Sequence, residues 1–186
     1  MPNELQELAE IVKKRSLRIG EFTLSSGKKA PYYLDCRMTT LDPRGAYLIA
    51  RLVLSKMREL NIQADAIGGL TLGADPMAAA IAVVSGIEGV PLPGFIVRKE
   101  TKGHGMQRLI EGWDGPAGSR VVIVDDVCTS GASTLKACEL AEAAGYRVVA
   151  TFCVVDREEG GSEAVSSRYP FYPLLTAKKL LNGAAL

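Results

Sequence analysis

Apolar positions along the chain change their period several times, and each change marks an element. Leu5, Leu8, Ala9 and Val12 recur at helical spacing. They predict an amphipathic helix over residues 4–15, with Asn3 as N-cap and Gln6 completing a capping box. Phe22 and Leu24 alternate with polar neighbours, Ser25-Ser26-Gly27-Lys28 makes a turn, and Tyr32 and Leu34 resume the alternation. That is a hairpin lying ahead of the main α/β region. Asp42-Pro43 opens a longer helix that buries Ala46, Tyr47, Ile49, Ala50, Val53, Leu54 and Met57 and ends at Asn61. Short apolar strands follow at Ala64–Gly68, Gly94–Arg98, Val121–Val124 and Arg147–Val155. A helix capped by Asp75-Pro76 runs to about Ser85, and another buries Leu135, Cys138, Leu140 and Ala141. Tyr169–Leu175 reads as an edge strand, and Thr176 caps a short terminal helix containing Leu180 and Leu181. Continuous apolar strands alternating with helices predict an α/β fold, its central sheet mostly parallel and flanked by helices.

Composition narrows the class. A chain of 186 residues suits one compact domain, and its 47% apolar content is ordinary for a globular protein. The net charge of +1 argues against a broad polyanion-binding surface, so no nucleic-acid partner is expected. No apolar run is long enough to span a bilayer, and no leader pattern opens the chain, so the expected location is cytoplasmic. Cys36, Cys128, Cys138 and Cys153 are scattered and there is one histidine. Free thiols are expected, with no zinc site and no side chain nominated as a metal ligand.

Candidate chemistry gathers at the ends of strands. Val121-Val122-Ile123-Val124 runs into Asp125-Asp126, and then into the turn Val127-Cys128-Thr129-Ser130-Gly131-Ala132-Ser133. A loop feeding a helix N-terminus offers free N–H groups to a phosphate, and Thr129, Ser130 and Ser133 add hydroxyls. Two carboxylates repel a bare phosphate but accept from sugar hydroxyls or face a divalent cation, so the pair suits a phosphorylated sugar with Mg²⁺. The plainer alternative is a strand-to-helix turn capped by Asp126 or Thr129. Beside N–H groups, the Cys128 thiol is expected to have a lowered pKa and to alkylate fastest of the four.

A second glycine-bearing loop, Gly68-Gly69-Leu70-Thr71-Leu72-Gly73-Ala74, follows another strand, and Thr71 is its candidate side-chain contact. Two such loops on one sheet edge can grip two ends of one ligand, though tight turns alone also need glycines. Arg98, Lys99, Lys102, His104 and Arg108 crowd a long excursion that runs without structure to Gly118. Such density suits a highly negative leaving group, and solvation is the alternative. Arg157 ends a strand, placed to grip a carboxylate or to pair with Glu158 or Glu159. Tyr32 and Tyr33 serve either as stacking surfaces or as core aromatics.

The thirteen positions from Val121 to Ser133 resemble the phosphoribosyl diphosphate (PRPP) signature of type I phosphoribosyltransferases. Phe22-x-Leu24, then Ser26-Gly27 and Pro31-Tyr32-Tyr33, is similar to the hood of the orotate-specific branch, with Ser25 where that branch often has lysine. Arg98-Lys99-x-x-Lys102-x-His104-Gly105 and Asp156-Arg157-x-Glu159-Gly160-Gly161 match its mobile loop and orotate site. The resemblance covers nearly the whole chain. It implies the type I phosphoribosyltransferase fold with a small N-terminal hood (about residues 1–40 plus a C-terminal segment) in one domain, 1–186.

It also implies transfer of the phosphoribosyl group from PRPP to orotate in pyrimidine synthesis. Asp125 and Asp126 would meet ribose hydroxyls, and the loop through Val127, Cys128, Thr129, Ser130, Gly131, Ala132 and Ser133 would wrap the 5-phosphate. Thr71 would lie by the diphosphate, and Thr129 and Arg157 would hold orotate. Arg98, Lys99, Lys102 and His104 would be catalytic and bind PRPP, with Mg²⁺ held mainly through PRPP. The implied assembly is a homodimer in which loop 98–112 completes the neighbouring site. Another base phosphoribosyltransferase, or a PRPP-sensing regulator of the same fold, is the alternative.

Overall fold

The computed structural model describes residues 2–23, 29–99 and 109–182, without the side chain of Pro2. The turn Ser25–Lys28 and the candidate residues Lys102 and His104 lie outside the described residues.

Helix α1 spans Pro2–Arg15, starting one residue before Asn3. Asn3 therefore sits in the first turn and is not the cap; proline is pre-set for that first position. Strands β1 (Leu17–Thr23) and β2 (Lys29–Leu34) pair antiparallel as a separate two-stranded sheet. A single helical turn, α2 (Arg37–Thr40), leads into α3 (Pro43–Glu59). Asp42 caps α3 by accepting from the Arg44 and Gly45 backbone N–H groups, a bond worth about 1 kcal/mol. Tyr47, expected inside, is 41% exposed; Leu48 and Leu52 fill the buried face instead.

Strand β3 (Ala66–Leu70) lies two residues later than its apolar run suggested, and helix α4 runs Asp75–Ile87. Ala74 occupies the N-cap position of α4, so Asp75 is its first residue and not its cap. Strand β4 (Gly94–Val97) pairs antiparallel with a short β5 (Ile110–Glu111). The excursion after Arg98 therefore rejoins the sheet well before Gly118. Trp113, packed near Phe95 and Tyr146, anchors that return. The chain continues as β6 (Arg120–Cys128), α5 (Ala132–Ala143), β7 (Arg147–Asp156), α6 (Gly161–Ser166), β8 (Phe171–Thr176) and α7 (Ala177–Asn182).

The main sheet has the order β5-β4-β3-β6-β7-β8, parallel except at β5. Alternation along β6 divides the core. Val122 and Val124 pack with Ile67 and the buried face of α3, while Val121 and Ile123 pack with Phe95, Ala137 and Cys138 of the opposite layer. Burial on both faces is why these strands read as continuous apolar runs. It also leaves the central strand ends β3 and β6 side by side, with their loops at one edge. Among the described residues no helix is long and apolar enough to cross a membrane.

Candidate active site

A cavity of about 370 Å³ opens at that edge. Its walls bring together Thr71, Leu72 and Gly73 after β3, Lys99 after β4, Asp125, Asp126, Val127, Thr129 and Ser133 around the end of β6, and Arg157 after β7. Four segments that are remote in sequence therefore meet around one space.

The β6 side carries the acids. Asp125 is 6% exposed and accepts from Thr134 Oγ1 at 3.1 Å and from the Asp126 N–H at 3.0 Å. Asp126 accepts from the Val127 N–H at 3.0 Å. Burial and the neighbouring carboxylate push Asp125 up to about 7, and burial raises Asp126 as well. The two carboxyls therefore resist ionising together.

The turn beyond them is shaped for an anion. Gly131 precedes α5 at φ 76°, and no side chain caps the helix. The capping alternative for Asp126 or Thr129 is thus not realised, and the first N–H groups of α5 remain open to a ligand. A side chain at Gly131 would press on Val165 Cγ2 at 2.8 Å and on Gly161 O at 2.9 Å, so close packing requires glycine there.

Not every member of the 125–133 run reaches the cavity. Cys128, Ser130, Gly131 and Ala132 are not part of its lining. Cys128 is 1% exposed and clusters with Cys153 and Val165. The expectation of a low-pKa, reactive Cys128 is overturned: burial pushes its thiol up to about 11. The side chain packs into the core, where desolvation outweighs any help from nearby N–H groups.

The β3 loop works by closeness. The Thr71–Leu72 peptide is cis. Thr71 Oγ1 donates to Asp75 Oδ2 at 2.7 Å, tying the loop to the first turn of α4. A Cβ on Gly73 would lie 2.5 Å from Asp126 Oδ1 and 3.2 Å from Asp125 Oδ1. The two loops therefore touch, and only a glycine lets them.

Arg157 is held between groups. Its guanidinium lies 4.8 Å from the Tyr32 ring centroid, and Nη2 pairs with Glu159 at 2.8 Å. The Glu159 partner foreseen as an alternative is present, yet Nε is buried and has no hydrogen-bond partner. Tyr32 is 8% exposed and serves the core, whereas Tyr33 is 40% exposed and lines the cavity. Arg98 does not line it; Arg98 Nη1 pairs with Glu111 Oε1 at 3.3 Å.

Among the charged lining residues, Asp35 and Arg37 were not candidates from the sequence. Arg37 grips Asp35 through Nε at 2.8 Å and Nη2 at 2.9 Å, and this holds the Asp35 carboxyl below its ordinary range. An Asp-x-Arg step directly after a hairpin was the available signal.

Comparison with known proteins agrees with this geometry. Residues 40–172 match the phosphoribosyl transferase domain family. An orotate phosphoribosyltransferase of Aquifex aeolicus is 48% identical over 182 residues, covering 96% of this chain and 98% of the relative. The crystal structure of Mycobacterium tuberculosis orotate phosphoribosyltransferase in complex with Fe(III) dicitrate superposes with a TM-score of 0.84 at 42% identity, covering 95% of this chain and 98% of that one. The complex of the M. tuberculosis enzyme with PRPP gives 0.80 at 36% identity, with the same coverage. The chain belongs to the type I phosphoribosyltransferase family, within its orotate phosphoribosyltransferase branch.

Proposed function

We propose that this chain transfers the phosphoribosyl group of PRPP to orotate, giving orotidine 5′-monophosphate and pyrophosphate for pyrimidine synthesis. The observation that carries the assignment is the cavity itself. It brings together an acid pair whose Asp125 is buried, an uncapped helix N-terminus, and an arginine with an unpartnered buried Nε.

Asp125 and Asp126 accept from the ribose hydroxyls, and the turn from Val127 to Ser133 wraps the 5-phosphate with its N–H groups. Thr129 and Arg157 hold orotate, whose carboxylate satisfies Arg157 Nε. Displacement at the anomeric carbon builds positive charge on the ribosyl ring and negative charge on the departing diphosphate. Lys99 stands in the cavity to receive that negative charge, with Thr71 and the backbone of its loop beside it. Orotate arriving as an N1 anion needs no obligatory general base.

Among the described residues no three acidic, cysteine or histidine side chains gather to hold a metal. Asp125 and Asp126 suit one flank of a Mg²⁺ whose other ligands are PRPP oxygens. Bound there, the ion would neutralise charge on the diphosphate.

Arg98, Lys102 and His104 are assigned to the neighbouring subunit of a homodimer. The position of Arg98 away from its own cavity supports this, as do the exposed Val83 and Ile87, one turn apart on α4, with Leu72 and Val90 nearby in sequence. Four free, buried thiols suit a reducing cytoplasm.

A spectrophotometric assay with PRPP, Mg²⁺ and separate bases tests the reading. Consumption of orotate alone upholds it, and turnover of uracil or a purine instead overturns the Arg157 assignment. Mixing Lys102→Ala subunits with Asp126→Ala subunits should restore activity through hybrid sites. No recovery after subunit exchange would remove the shared-site arrangement.

A further inference from the structure

Among the described residues, few cations line the cavity. The loop Thr71-Leu72-Gly73 contains no basic residue, and its Thr71 hydroxyl is spent on Asp75. Three acids line the space: Asp35, Asp125 and Asp126. Of the described cations that line it, Arg157 is assigned to the orotate carboxylate, leaving Lys99 and Arg37.

Resting on the PRPP reading above, we propose that Arg37 is a further substrate-binding residue, donating from the hood side to the diphosphate of PRPP. The geometry suits a directed donor. Asp35 occupies Nε and Nη2, and its carboxylate also accepts from the Arg37 backbone N–H at 3.1 Å. The fork is therefore fixed in place, while Nη1 has no bond to any described residue. The side chain is 52% exposed, so it can meet a ligand without first being unburied. Asp35 offsets part of the guanidinium charge, so the contribution is an oriented hydrogen bond and not a bare cation. Arg37 also lines the same cavity as Asp126 and lies within its electrostatic reach. A diphosphate on the anomeric carbon projects into the space between them.

The test separates the diphosphate from the rest of the ligand. Calorimetric titrations with PRPP, inorganic pyrophosphate and orotidine 5′-monophosphate would be run on the wild-type chain, on Arg37→Gln and on Arg37→Lys. Loss of one charge-assisted bond predicts about tenfold or more weaker binding of PRPP and pyrophosphate to Arg37→Gln. Orotidine 5′-monophosphate, which has the ribose 5-phosphate but no diphosphate, should bind it as it binds the wild type. Arg37→Lys should recover part of the pyrophosphate affinity. Equal weakening toward all three ligands would mean that Arg37 acts through the ribose acids or the fold, and would overturn the proposal. Unchanged pyrophosphate binding would overturn it as well. If the folded wild-type chain bound pyrophosphate but not PRPP, the phosphoribosyl reading would fall, and the pyrophosphate arm would still decide the role of Arg37.

Discussion

The two loops at the central strand ends occupy equivalent places and work by opposite means. After β6, the turn presents side chains: the Asp125 and Asp126 carboxylates, the Thr129 and Ser133 hydroxyls, and a helix start that no side chain caps. After β3, the turn contributes by lacking them. Gly73 leaves room for Asp126, and the one hydroxyl of the loop is turned to Asp75. A sugar needs hydrogen-bond acceptors at defined positions, so the β6 loop is chemically particular. A diphosphate can be met by backbone N–H groups, so the β3 loop needs only to approach closely.

That contrast can be broken by substitution. Asp126→Ala removes acceptors from the β6 side and should lower kcat/KM for PRPP by about a hundredfold, the scale of a lost charged hydrogen bond at its upper end. Gly73→Ala adds only a methyl group, yet it lands on the same carboxylate. It should raise the KM for PRPP about tenfold, and combined with Asp126→Ala it should cost less than the sum of the two. An additive double mutant would show that the loops do not act on one another through this contact.

The acid pair also makes a pH prediction. With Asp125 up at about 7 against an ordinary 3.8, the folded chain holds a proton that the unfolded chain releases. Stability from this source is complete at low pH and is lost as pH rises from about 4 through about 7. Melting temperatures across that window should fall, and Asp125→Asn should flatten the slope. Binding runs the other way: ribose hydroxyls need ionised acceptors, so PRPP affinity should rise through about pH 7 with release of a proton. A pH-independent affinity would detach the pair from the sugar. The smallest effect belongs to Thr71→Val, which loses one hydroxyl bond and should cost about 1 kcal/mol of stability by denaturant titration.

The same contrast explains what the sequence made legible. The 125–133 stretch announced itself because its chemistry is carried by side-chain type. Within it the Cys128 side chain packs into the core with Cys153 and Val165, so that thiol brings no chemistry to the cavity. The extents of β3 and α4 were offset because glycines that looked like loop are paired in the sheet: Gly68 and Gly69 oppose Phe95 and Ile96. The two-residue β5 carries no period of its own and exists only through its pairing with β4, so no local signal could reveal it. Arg37 escaped for a similar reason. Its neighbours in the cavity come from β3 and β6, far along the chain, and only the tertiary arrangement brings it to them.

The return of the chain at β5 has a consequence for redesign. The Arg98 N–H donates to the Leu109 carbonyl at 2.8 Å, so the residues on either side of the intervening stretch are held together. Its two ends are held together by the sheet, whatever lies between. Doubling the length of a segment closed in this way costs only about 0.6 kcal/mol. The stretch that bears Lys102 and His104 can therefore be lengthened, shortened or exchanged for that of a relative as a cassette, leaving the sheet and its acid pair in register.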